Sequence, residues 1–319
     1  MITFADIEQA YRVLQPVIHK TPLLSSATFD RHCGNTVLLK AENFQRIGAF
    51  KIRGAYNKIS SLTQEEKRRG IVAHSSGNHA QGVALAASLL GVKATVVMPK
   101  NSPAIKVDAT RGYGAEIVFC KDSSDDRERV ARQLQQERGL VLVPPFDDDK
   151  IIAGQGTAAL EIAQDVRELH YLFVPVGGGG LIAGNSLAAK HLFPGIKVIG
   201  VETEPANDCQ QSFQKKEIVR IAPPDTIADG MRTQAVGRRN FEIILQYVDD
   251  VVTVTDDQVK EMMRFFIQRM KIVAEPTGAV APAAVYHNVL SLRNKRVCAI
   301  ISGGNVEPSM LKEVLGNGG

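Results

Sequence analysis

Short runs of apolar, often β-branched residues alternate along the chain with longer segments of helical pattern. Such runs are typical of strands, and the predicted strands are residues 37–42, 71–74, 95–99, 117–120, 171–176, 197–202, 251–255 and 297–302. Segments rich in alanine and leucine, such as 79–91 and 180–193, separate most of them and are predicted to be helices. Because apolar strands joined by helices are typical of a parallel, doubly wound sheet, the pattern predicts an α/β fold.

A stretch in the first half of the chain has its own alternation of strands and helices. It covers residues 48–145 and is bounded by Gly48 and by the turn Pro144-Pro145. We therefore predict two open, twisted α/β domains. The smaller one spans 48–145 and is inserted into a larger one formed by 1–47 and 146–319. Clefts between such domains are common ligand-binding sites.

Composition and charge narrow the classes of function. The chain has 319 residues, of which 44% are hydrophobic and 23% charged, and 38 Lys+Arg against 34 Asp+Glu leave a net charge of +4. This evenly spread charge disfavours nucleic-acid binding, and no apolar run approaches the roughly 18 residues of a membrane span. The cysteines form no C-x-x-C pair, which favours a reducing, cytoplasmic location over a disulfide or zinc framework. They are Cys33, Cys120, Cys209 and Cys298.

Glycine-rich turns follow three of the predicted strands. Ligands of open α/β sheets bind beyond the carboxyl ends of the strands, so these turns are candidate binding loops. They are Ser75-Ser76-Gly77-Asn78-His79, Gly177-Gly178-Gly179-Gly180 and Ser302-Gly303-Gly304-Asn305. Four consecutive glycines before a helix let backbone N–H groups approach an anion, which predicts a phosphate cup at the second turn. No G-K-[ST] follows, so a P-loop nucleotide triphosphatase is disfavoured.

The same glycines also fit a dinucleotide fingerprint. Gly178, Gly180 and Ala183 satisfy G-x-G-x-x-[G/A], and Glu202 ends the next predicted strand, where an acid would bind a ribose. An NAD-type oxidoreductase is therefore one candidate function, although this pattern alone has a high false-positive rate. A ligand-binding protein without turnover is a further alternative.

A lysine near the start of the smaller domain suggests a different chemistry. Lys51 follows the turn Gly48-Ala49-Phe50, and in isolation such a lysine is most often a surface charge. Together with a phosphate cup it can instead form a Schiff base with pyridoxal phosphate. That cofactor also needs partners for its ring oxygen and its ring nitrogen.

Six motifs, in order and distributed over nearly the whole chain, carry a family resemblance. They are GAFKIRGA at 48–55, SSGNH at 75–79, AGQGT at 153–157, GGGG at 177–180, EPTG at 275–278 and SGGN at 302–305. Jointly they resemble the fold-type II pyridoxal-phosphate enzymes, and within them the serine racemase and threonine (serine) dehydratase group. The resemblance implies a tryptophan synthase β-like fold with the cofactor in the cleft between the two domains.

The resemblance also implies a set of cofactor contacts. Lys51 would hold the pyridoxal phosphate covalently and act as the base on one face of the substrate, and Phe50 would flank the ring. Asn78 would hydrogen-bond the ring hydroxyl, and Ser302 would face the ring nitrogen. The phosphate would be held by Gly177, Gly178, Gly179 and Gly180.

Substrate contacts follow from the same comparison. Ser75, Asn78 and His79 would bind the substrate carboxylate, and Ser76 matches the racemase position that acts on the face opposite the lysine. A serine in such a turn is also a common helix cap. Arg127 lies in a strongly charged segment that is typical of a solvated helix face. In the racemases an arginine at this place reaches the ligand carboxylate, and it would equally suit a dicarboxylic substrate.

A divalent-cation site is implied beyond the strand 197–202. Glu202 and Asp208 lie six residues apart around a turn, with the Ala206 carbonyl between them, and three oxygens of this kind suit a hard cation. Loop carboxylates are more often simply solvated. The racemase-type enzymes bind Mg²⁺ or Ca²⁺ with this E-x-x-x-A-x-D arrangement, so we expect Mg²⁺, with Ca²⁺ or Mn²⁺ as alternatives.

A serine beside the ring nitrogen bears on the reaction. A hydroxyl keeps that nitrogen protonated less well than a carboxylate, which suits β-elimination better than long-lived carbanions. We expect an ammonia-lyase that converts L-serine and L-threonine to 2-oxo acid and ammonia, with serine racemisation as an activity that the same residues can support. The alternative within the class is a threo-3-hydroxyaspartate ammonia-lyase. The expected partners are a small β-hydroxy amino acid and a second copy of the chain in a homodimer.

Overall fold

The computed structural model describes residues 1–75, 77–102, 104–121 and 124–316. Its strands are β1 (Leu23–Leu24), β2 (Thr36–Ala41), β3 (Ile71–His74), β4 (Ala94–Pro99), β5 (Glu116–Cys120), β6 (Val141–Leu142), β7 (Tyr171–Pro175), β8 (Lys197–Thr203), β9 (Asp250–Val254) and β10 (Arg296–Ile301). Each predicted strand overlaps one of these. The two-residue strands β1 and β6 were not predicted, because a run so short carries no hydrophobic pattern.

Helices connect most of the strands. They are α1 (Phe4–Leu14), α2 (Ala27–Cys33), α3 (Lys51–Ser60), α4 (Gln64–Arg69), α5 (Asn78–Leu89), α6 (Ala104–Gly112), α7 (Ser124–Arg138), α8 (Asp149–Asp165), α9 (Gly180–Leu192), α10 (Asp208–Lys215), α11 (Arg238–Tyr247), α12 (Asp256–Phe265), α13 (Pro276–Tyr286) and α14 (Pro308–Gly316). Both alanine-rich segments are helical, as α5 and α9. Within the described ranges, no helix is both long enough and apolar enough to cross a membrane.

The larger sheet has six strands in the order β1-β2-β10-β7-β8-β9. All neighbouring pairs are parallel except β1 with β2. From β7 the chain proceeds through β8 to β9 at one edge, whereas β10 lies on the other side of β7. The connections that leave β7 and β10 therefore diverge, and a crevice opens at their carboxyl ends.

The smaller sheet has four parallel strands in the order β5-β4-β3-β6. Helices α5, α6 and α7 pack against it. All four strands lie inside 48–145, and we retain that range as our proposal for the smaller domain. The six-stranded and four-stranded sheets are called the large sheet and the small sheet below.

The central strands are buried on both faces, as their apolar sequences predict. Every residue of β4 is buried, and in β8 and β10 only the first residue is exposed. The edge strands β5 and β9 are less buried, and Phe119 of β5 is 41% exposed. The observed fold is therefore α/β, as expected.

A buried charge network joins α3 to the large sheet. The Arg53 guanidinium donates to both Glu42 oxygens at 2.7 and 2.8 Å and to both Glu161 oxygens at 2.8 Å. Lys40 Nζ on β2 also donates to Glu161, at 2.6 Å. All four side chains are at most 1% exposed. Two cations and two carboxylates balance, so the buried seam carries no net charge.

Candidate active site

A short backbone pairing brings the lysine motif to the end of β10. The Phe50 N–H donates to the Ser302 carbonyl at 3.1 Å, and the Gly304 N–H donates to the Gly48 carbonyl at 2.9 Å. Lys51 is the first residue of α3. The pairing therefore fixes Lys51 beside Ser302, although the two residues are far apart in the sequence.

The Lys51 side chain lines a cleft of about 1220 Å³ between the two sheets. The cleft is lined from the small-sheet side by Ser75, Asn78, His79 and Arg127, and from the large-sheet side by Gly177, Gly178, Gly179, Gly180, Glu275 and Ser302. Nearly all the side chains singled out from the sequence for cofactor and substrate thus border one cavity. Ser76, the candidate second acid/base, lies outside the described residues.

The Lys51 amine has an environment suited to reaction near neutral pH. Its Nζ donates to the Pro145 carbonyl at 2.8 Å and lies 5.1 Å from the centre of the Phe50 ring. Burial lowers the pKa of Lys51 to about 8, against an opposing effect of the Glu275 carboxylate. A lysine with such a pKa is readily converted to the neutral amine that acts as nucleophile or base.

The four-glycine loop forms a bare backbone cradle before α9. Gly179 has φ of +91°, a conformation that favours glycine. A Cβ on Gly178 would overlap the Phe146 ring. The first N–H groups of α9 lack carbonyl partners within the helix, so they can bind an anion. The loop therefore fits the phosphate cup that the sequence predicts.

Helix α11 orients this loop from behind. The Gly178 carbonyl accepts from Asn240 Nδ2 at 2.6 Å and from the Gly237 N–H at 3.1 Å. In a trans peptide the carbonyl and the following N–H point in opposite directions, so the Gly179 N–H is directed away from α11. Asn240 was not predicted as a functional residue, because no motif surrounds it.

Ser302 presents a buried hydroxyl without a partner. The side chain is 1% exposed, and its Oγ makes no hydrogen bond within the described residues. Buried polar atoms are rarely left unpaired, so an unpaired hydroxyl at the border of a cleft points to a ligand. A heteroaromatic ring nitrogen has the right chemistry for this position.

The Asn78 amide is held by side chains of the opposite wall. Its Nδ2 donates to Glu275 Oε1 at 2.7 Å, and its Oδ1 accepts from Asn305 Nδ2 at 2.8 Å. Burial, together with the charge of Asp229, raises the pKa of Glu275 to about 8. Glu275 and Asn305 lie in the motifs noted from the sequence, but their role in positioning Asn78 was not foreseen.

The His79 ring hydrogen-bonds to the backbone. It is buried, and its Nε2 lies 3.0 Å from the Val143 carbonyl, so Nε2 carries the proton. Burial, with a contribution from the Lys51 charge, lowers the pKa of His79 to about 3. The ring is thus neutral and bound to the backbone, and His79 offers a ligand mainly its N–H in the first turn of α5. Ser75 Oγ stabilises the same turn by accepting from the Gly77 N–H at 3.2 Å.

Arg127 lies on α7 at the border of the cleft, together with His74 and Arg132. Arg132 also donates to Glu128 Oε1 at 2.6 and 2.8 Å. The helix α7 is charged, as the sequence indicates, but this part of it faces the cavity and not only solvent.

The carboxylates expected to bind a metal lie together beneath α10. Glu202 accepts from the Cys209 N–H at 3.1 Å and from the Gln210 N–H at 2.8 Å. Both carboxylate oxygens of Asp208 are buried and accept no hydrogen bond of ordinary geometry, although the backbone N–H groups of Asp208 and Val236 lie near enough to oppose the rise of its pKa. Burial raises the pKa of Asp208 to about 7, and burial with the neighbouring Asp208 charge raises that of Glu202 well above its usual value. Ala206 is buried at the end of the intervening 3-10 turn.

Two adjacent buried carboxylates with such pKa values fit a hard cation. Among the residues that the structure describes, no group of three or more His, Cys, Asp and Glu side chains is arranged to hold a metal, here or elsewhere. A cation beside Glu202 would therefore depend on two carboxylates supplemented by backbone oxygen.

Comparisons with known proteins agree with this geometry. A family model described as pyridoxal-phosphate dependent enzyme matches residues 14–303. The chain is 48% identical to L-threo-3-hydroxyaspartate ammonia-lyase of Saccharomyces cerevisiae, over 96% of this chain and 94% of that protein. It is 43% identical to L-threonine ammonia-lyase of Thermotoga maritima, over 100% of this chain and 79% of that protein. The structure of maize serine racemase matches with a TM-score of 0.94 and 38% identity, over 98% of this chain and 96% of that one.

The dinucleotide interpretation is wrong. Glu202, its proposed ribose ligand, is sealed beneath α10 by backbone N–H groups and does not border the cleft. The fold is that of the fold-type II pyridoxal-phosphate enzymes, as the sequence motifs imply. The chain belongs to the family of pyridoxal-phosphate-dependent enzymes.

Proposed function

We propose that this enzyme is an ammonia-lyase that converts L-serine and L-threonine to the 2-oxo acid and ammonia, with serine racemisation as a second activity. The relatives named above act on hydroxy amino acids by their names, which supports this substrate class. The observation that carries the proposal is the meeting of the Lys51 amine, the four-glycine cradle and the unpaired Ser302 hydroxyl in one cleft.

These residues fit pyridoxal phosphate. The cradle of Gly177 to Gly180 would hold the phosphate, Ser302 Oγ would meet the ring nitrogen, and Phe50 would flank the ring beside Lys51. When bound, the cofactor supplies an electron sink for the bond broken at the substrate Cα. The Asn78 amide, held by Glu275 and Asn305, would meet the ring hydroxyl.

The protein's own part in the reaction is to bind the carboxylate and move one proton. The N–H groups at the start of α5 would hold the substrate carboxylate. Lys51 Nζ would then take the proton from Cα, since its pKa of about 8 makes the neutral amine accessible. Ser302 offers a neutral hydroxyl in place of a carboxylate, which favours loss of the β-hydroxyl over prolonged storage of charge.

The test is turnover of a substrate panel by the holoenzyme and by Lys51→Ala. We expect oxo-acid release from L-serine and L-threonine, a visible absorption band that borohydride removes, and loss of both band and turnover in Lys51→Ala. Exposed Lys93 provides the control, and Lys93→Ala should keep both. An active, coloured Lys51→Ala enzyme would refute the assignment.

A second candidate is a threo-3-hydroxyaspartate ammonia-lyase. The relative from Saccharomyces cerevisiae carries that name. The cleft border contributed by α7 carries Arg127 and Arg132, and the carboxylate of Glu128, which pairs with Arg132, accompanies them. Such a border suits a substrate with a second carboxylate.

Arg127→Ala separates the two candidates. If the dicarboxylate is the natural substrate, this change should raise its KM about tenfold or more, the cost of losing one charge-assisted contact, and leave L-threonine nearly unaffected. Equal losses for both substrates would favour the serine and threonine activity.

We also propose that Glu202, Ala206 and Asp208 bind Mg²⁺, with Ca²⁺ or Mn²⁺ as substitutes. The two unpaired oxygens of Asp208 support this, because a buried carboxylate without partners is unfavourable unless a cation or a proton neutralises it. Ala206 would contribute its carbonyl. The ion would stabilise the segment between β8 and α10 and would not take part in the chemistry of the cleft.

A homodimer and a cytoplasmic location complete the proposal. Phe44 and Val273 are 45% and 44% exposed and lie in segments joined by the bond from Asn43 Nδ2 to the Val273 carbonyl at 3.0 Å. We propose that these two exposed apolar side chains lie in the interface with the second copy. All four cysteines are buried thiols, which suits a reducing compartment.

A further inference from the structure

An ion pair crosses the mouth of the cleft. Lys106 on α6 belongs to the small-sheet side, and its Nζ lies 2.8 Å from Asp229 Oδ2 and 3.9 Å from Glu307 Oε1 on the large-sheet side. Asp229 begins the 3-10 turn Asp229–Met231, and Glu307 precedes α14. All three side chains line the cleft.

Lys106 is more enclosed than either carboxylate. Its side chain is 18% exposed, whereas those of Asp229 and Glu307 are 45% and 40% exposed. Burial opposes the charge, but Asp229 and then Glu307 outweigh it and raise the pKa of Lys106. A charged ammonium is therefore enclosed between two carboxylates of the opposite wall, and separating the walls would leave it without these partners.

The carboxylate side of this pair is packed onto the cofactor cradle. The Gly230 carbonyl, next to Asp229, approaches Gly177 so closely that a Cβ there would lie 2.7 Å from it. The Gly230 N–H donates to Thr277 Oγ1, in the first turn of α13, at 3.0 Å. A displacement of Asp229 would therefore also displace the segments that border the candidate phosphate site.

We propose that Lys106 is a positioning residue that fastens α6 to the large-sheet wall and so stabilises the closed cleft around a bound amino acid. Its ammonium touches no reacting atom. The fastening itself follows from the geometry, and only the choice of substrate in the kinetic test below rests on the proposed function.

The kinetic test compares Lys106→Gln, Lys106→Arg and a matched control. Lys58→Gln removes another ion pair between the two parts of the chain, with Asp148 at 2.7 Å and 19% exposure on both sides, but away from the cleft. For L-serine or L-threonine we expect Lys106→Gln to raise KM about tenfold and to change kcat by less than about twofold. Without the ion pair the closed cleft is less populated, so part of the binding free energy of the substrate is used to close it. Lys106→Arg and Lys58→Gln should keep the original KM.

A distance measurement separates fastening from a merely stabilising role. All four native cysteines are buried, so probes can be attached at Arg111→Cys on α6 and Arg238→Cys on α11, positions where the native side chains are 55% and 86% exposed. In the holoenzyme, Lys106→Gln should add a population with a longer distance between the probes, and Lys58→Gln should not. An unchanged distance distribution in Lys106→Gln overturns the proposal whatever the KM.

The two proposals fail in different ways. If the wild-type holoenzyme turns over none of the amino acids, the proposed function fails, and the distance measurement still tests the role of Lys106. If turnover is as expected but Lys106→Gln matches Lys58→Gln in both KM and distance, only the role of Lys106 fails.

Discussion

Lys51 and His79 border the same cleft, and burial lowers the pKa of each, which favours the neutral form of both side chains. For His79, with a pKa of about 3, the result is a fixed neutral ring bound to the Val143 carbonyl over the whole physiological range. For Lys51 the result is an amine whose charge changes close to neutrality. The two basic residues border the same cleft, but His79 is held by the backbone, whereas Lys51 has the reactive role in our proposal.

The pKa of Lys51 predicts how the apoprotein takes up pyridoxal phosphate. Only the neutral amine attacks the aldehyde, so the uptake rate should rise about tenfold per pH unit below the pKa and level off above about 8. Stopped-flow absorbance between pH 6 and 10 measures this. Nα-acetyl-lysine serves as the control, and its profile should still be rising at pH 10, because its amine has the ordinary pKa of 10.5. A protein profile that still rises at pH 10 would contradict the prediction.

The carboxylates beneath α10 give a second pH-dependent prediction. The pKa of Asp208 is raised from 3.8 to about 7, so its contribution to folding is full below the lower value and is lost as the pH rises through the upper one. Bound Mg²⁺ would offset that loss. Added Mg²⁺ should therefore raise Tm more at pH 8 than at pH 5, where protons compete with the ion.

Asp208→Asn should abolish this response in a thermal-shift assay. Asp165→Asn, which alters a surface pair with Lys20, is the control and should retain it. A Tm increase of equal size at both pH values, or one that survives Asp208→Asn, would place the cation elsewhere.

At the scale of elements, the loop between β7 and α9 is the most constrained segment of the site. Gly179 needs its positive φ, and Gly178 and Gly180 lie against Phe146. Conformation and space thus exclude a side chain at successive positions, which explains a run of four glycines that a simple turn would not require.

Gly179→Ala should weaken binding of pyridoxal phosphate by about tenfold or more. An alanine with this positive φ costs roughly 1–2 kcal/mol, and its Cβ would also clash, so the cradle would be distorted. Fluorescence titration of the apoprotein measures the Kd. Gly195→Ala is a matched control, since Gly195 also has a positive φ, of +79°, but open space around its Cβ position. If both variants bind the cofactor equally well, the cradle does not hold the phosphate.

The elements that sequence patterns predicted are those with a strong local signal. The central strands are apolar throughout, and the glycine loop and the Ser302 turn follow such strands directly. Contacts between distant segments had no comparable signal. Glu275 and Asn305 hold Asn78 from the other wall, and Asn240 holds the glycine loop from α11, through pairings that no spacing along the chain reveals.

At the scale of the whole molecule, the two sheets are joined by a seam as well as divided by a cleft. The network around Arg53 fixes α3 to the large sheet, so the helix that begins with Lys51 is anchored on its opposite side. The sequence motif GAFKIRGA contains this arginine, but its burial depends on Glu42 and Glu161, which the motif does not include.

Arg53→Met should lower the free energy of unfolding by about 3–5 kcal/mol, because it leaves two buried carboxylates with too little positive charge. Urea titration of the apoprotein, followed by circular dichroism, measures this loss. The partly exposed Lys58 pair is the comparison, and Lys58→Gln should cost no more than about 1 kcal/mol. Similar losses in the two variants would mean that the buried seam contributes little to stability.

The hydrogen bond from Asn240 to the Gly178 carbonyl has a consequence for how this enzyme can change over time. If the four-glycine loop holds the cofactor phosphate as proposed, retention of the cofactor depends partly on α11, which lies behind the loop and does not border the cleft. Substitutions on the face of α11 that contacts the loop can therefore lower or raise the affinity for the cofactor, while the residues that line the cleft stay the same. Selection, or an engineer, can thus adjust how firmly the coenzyme stays bound separately from what the enzyme recognises.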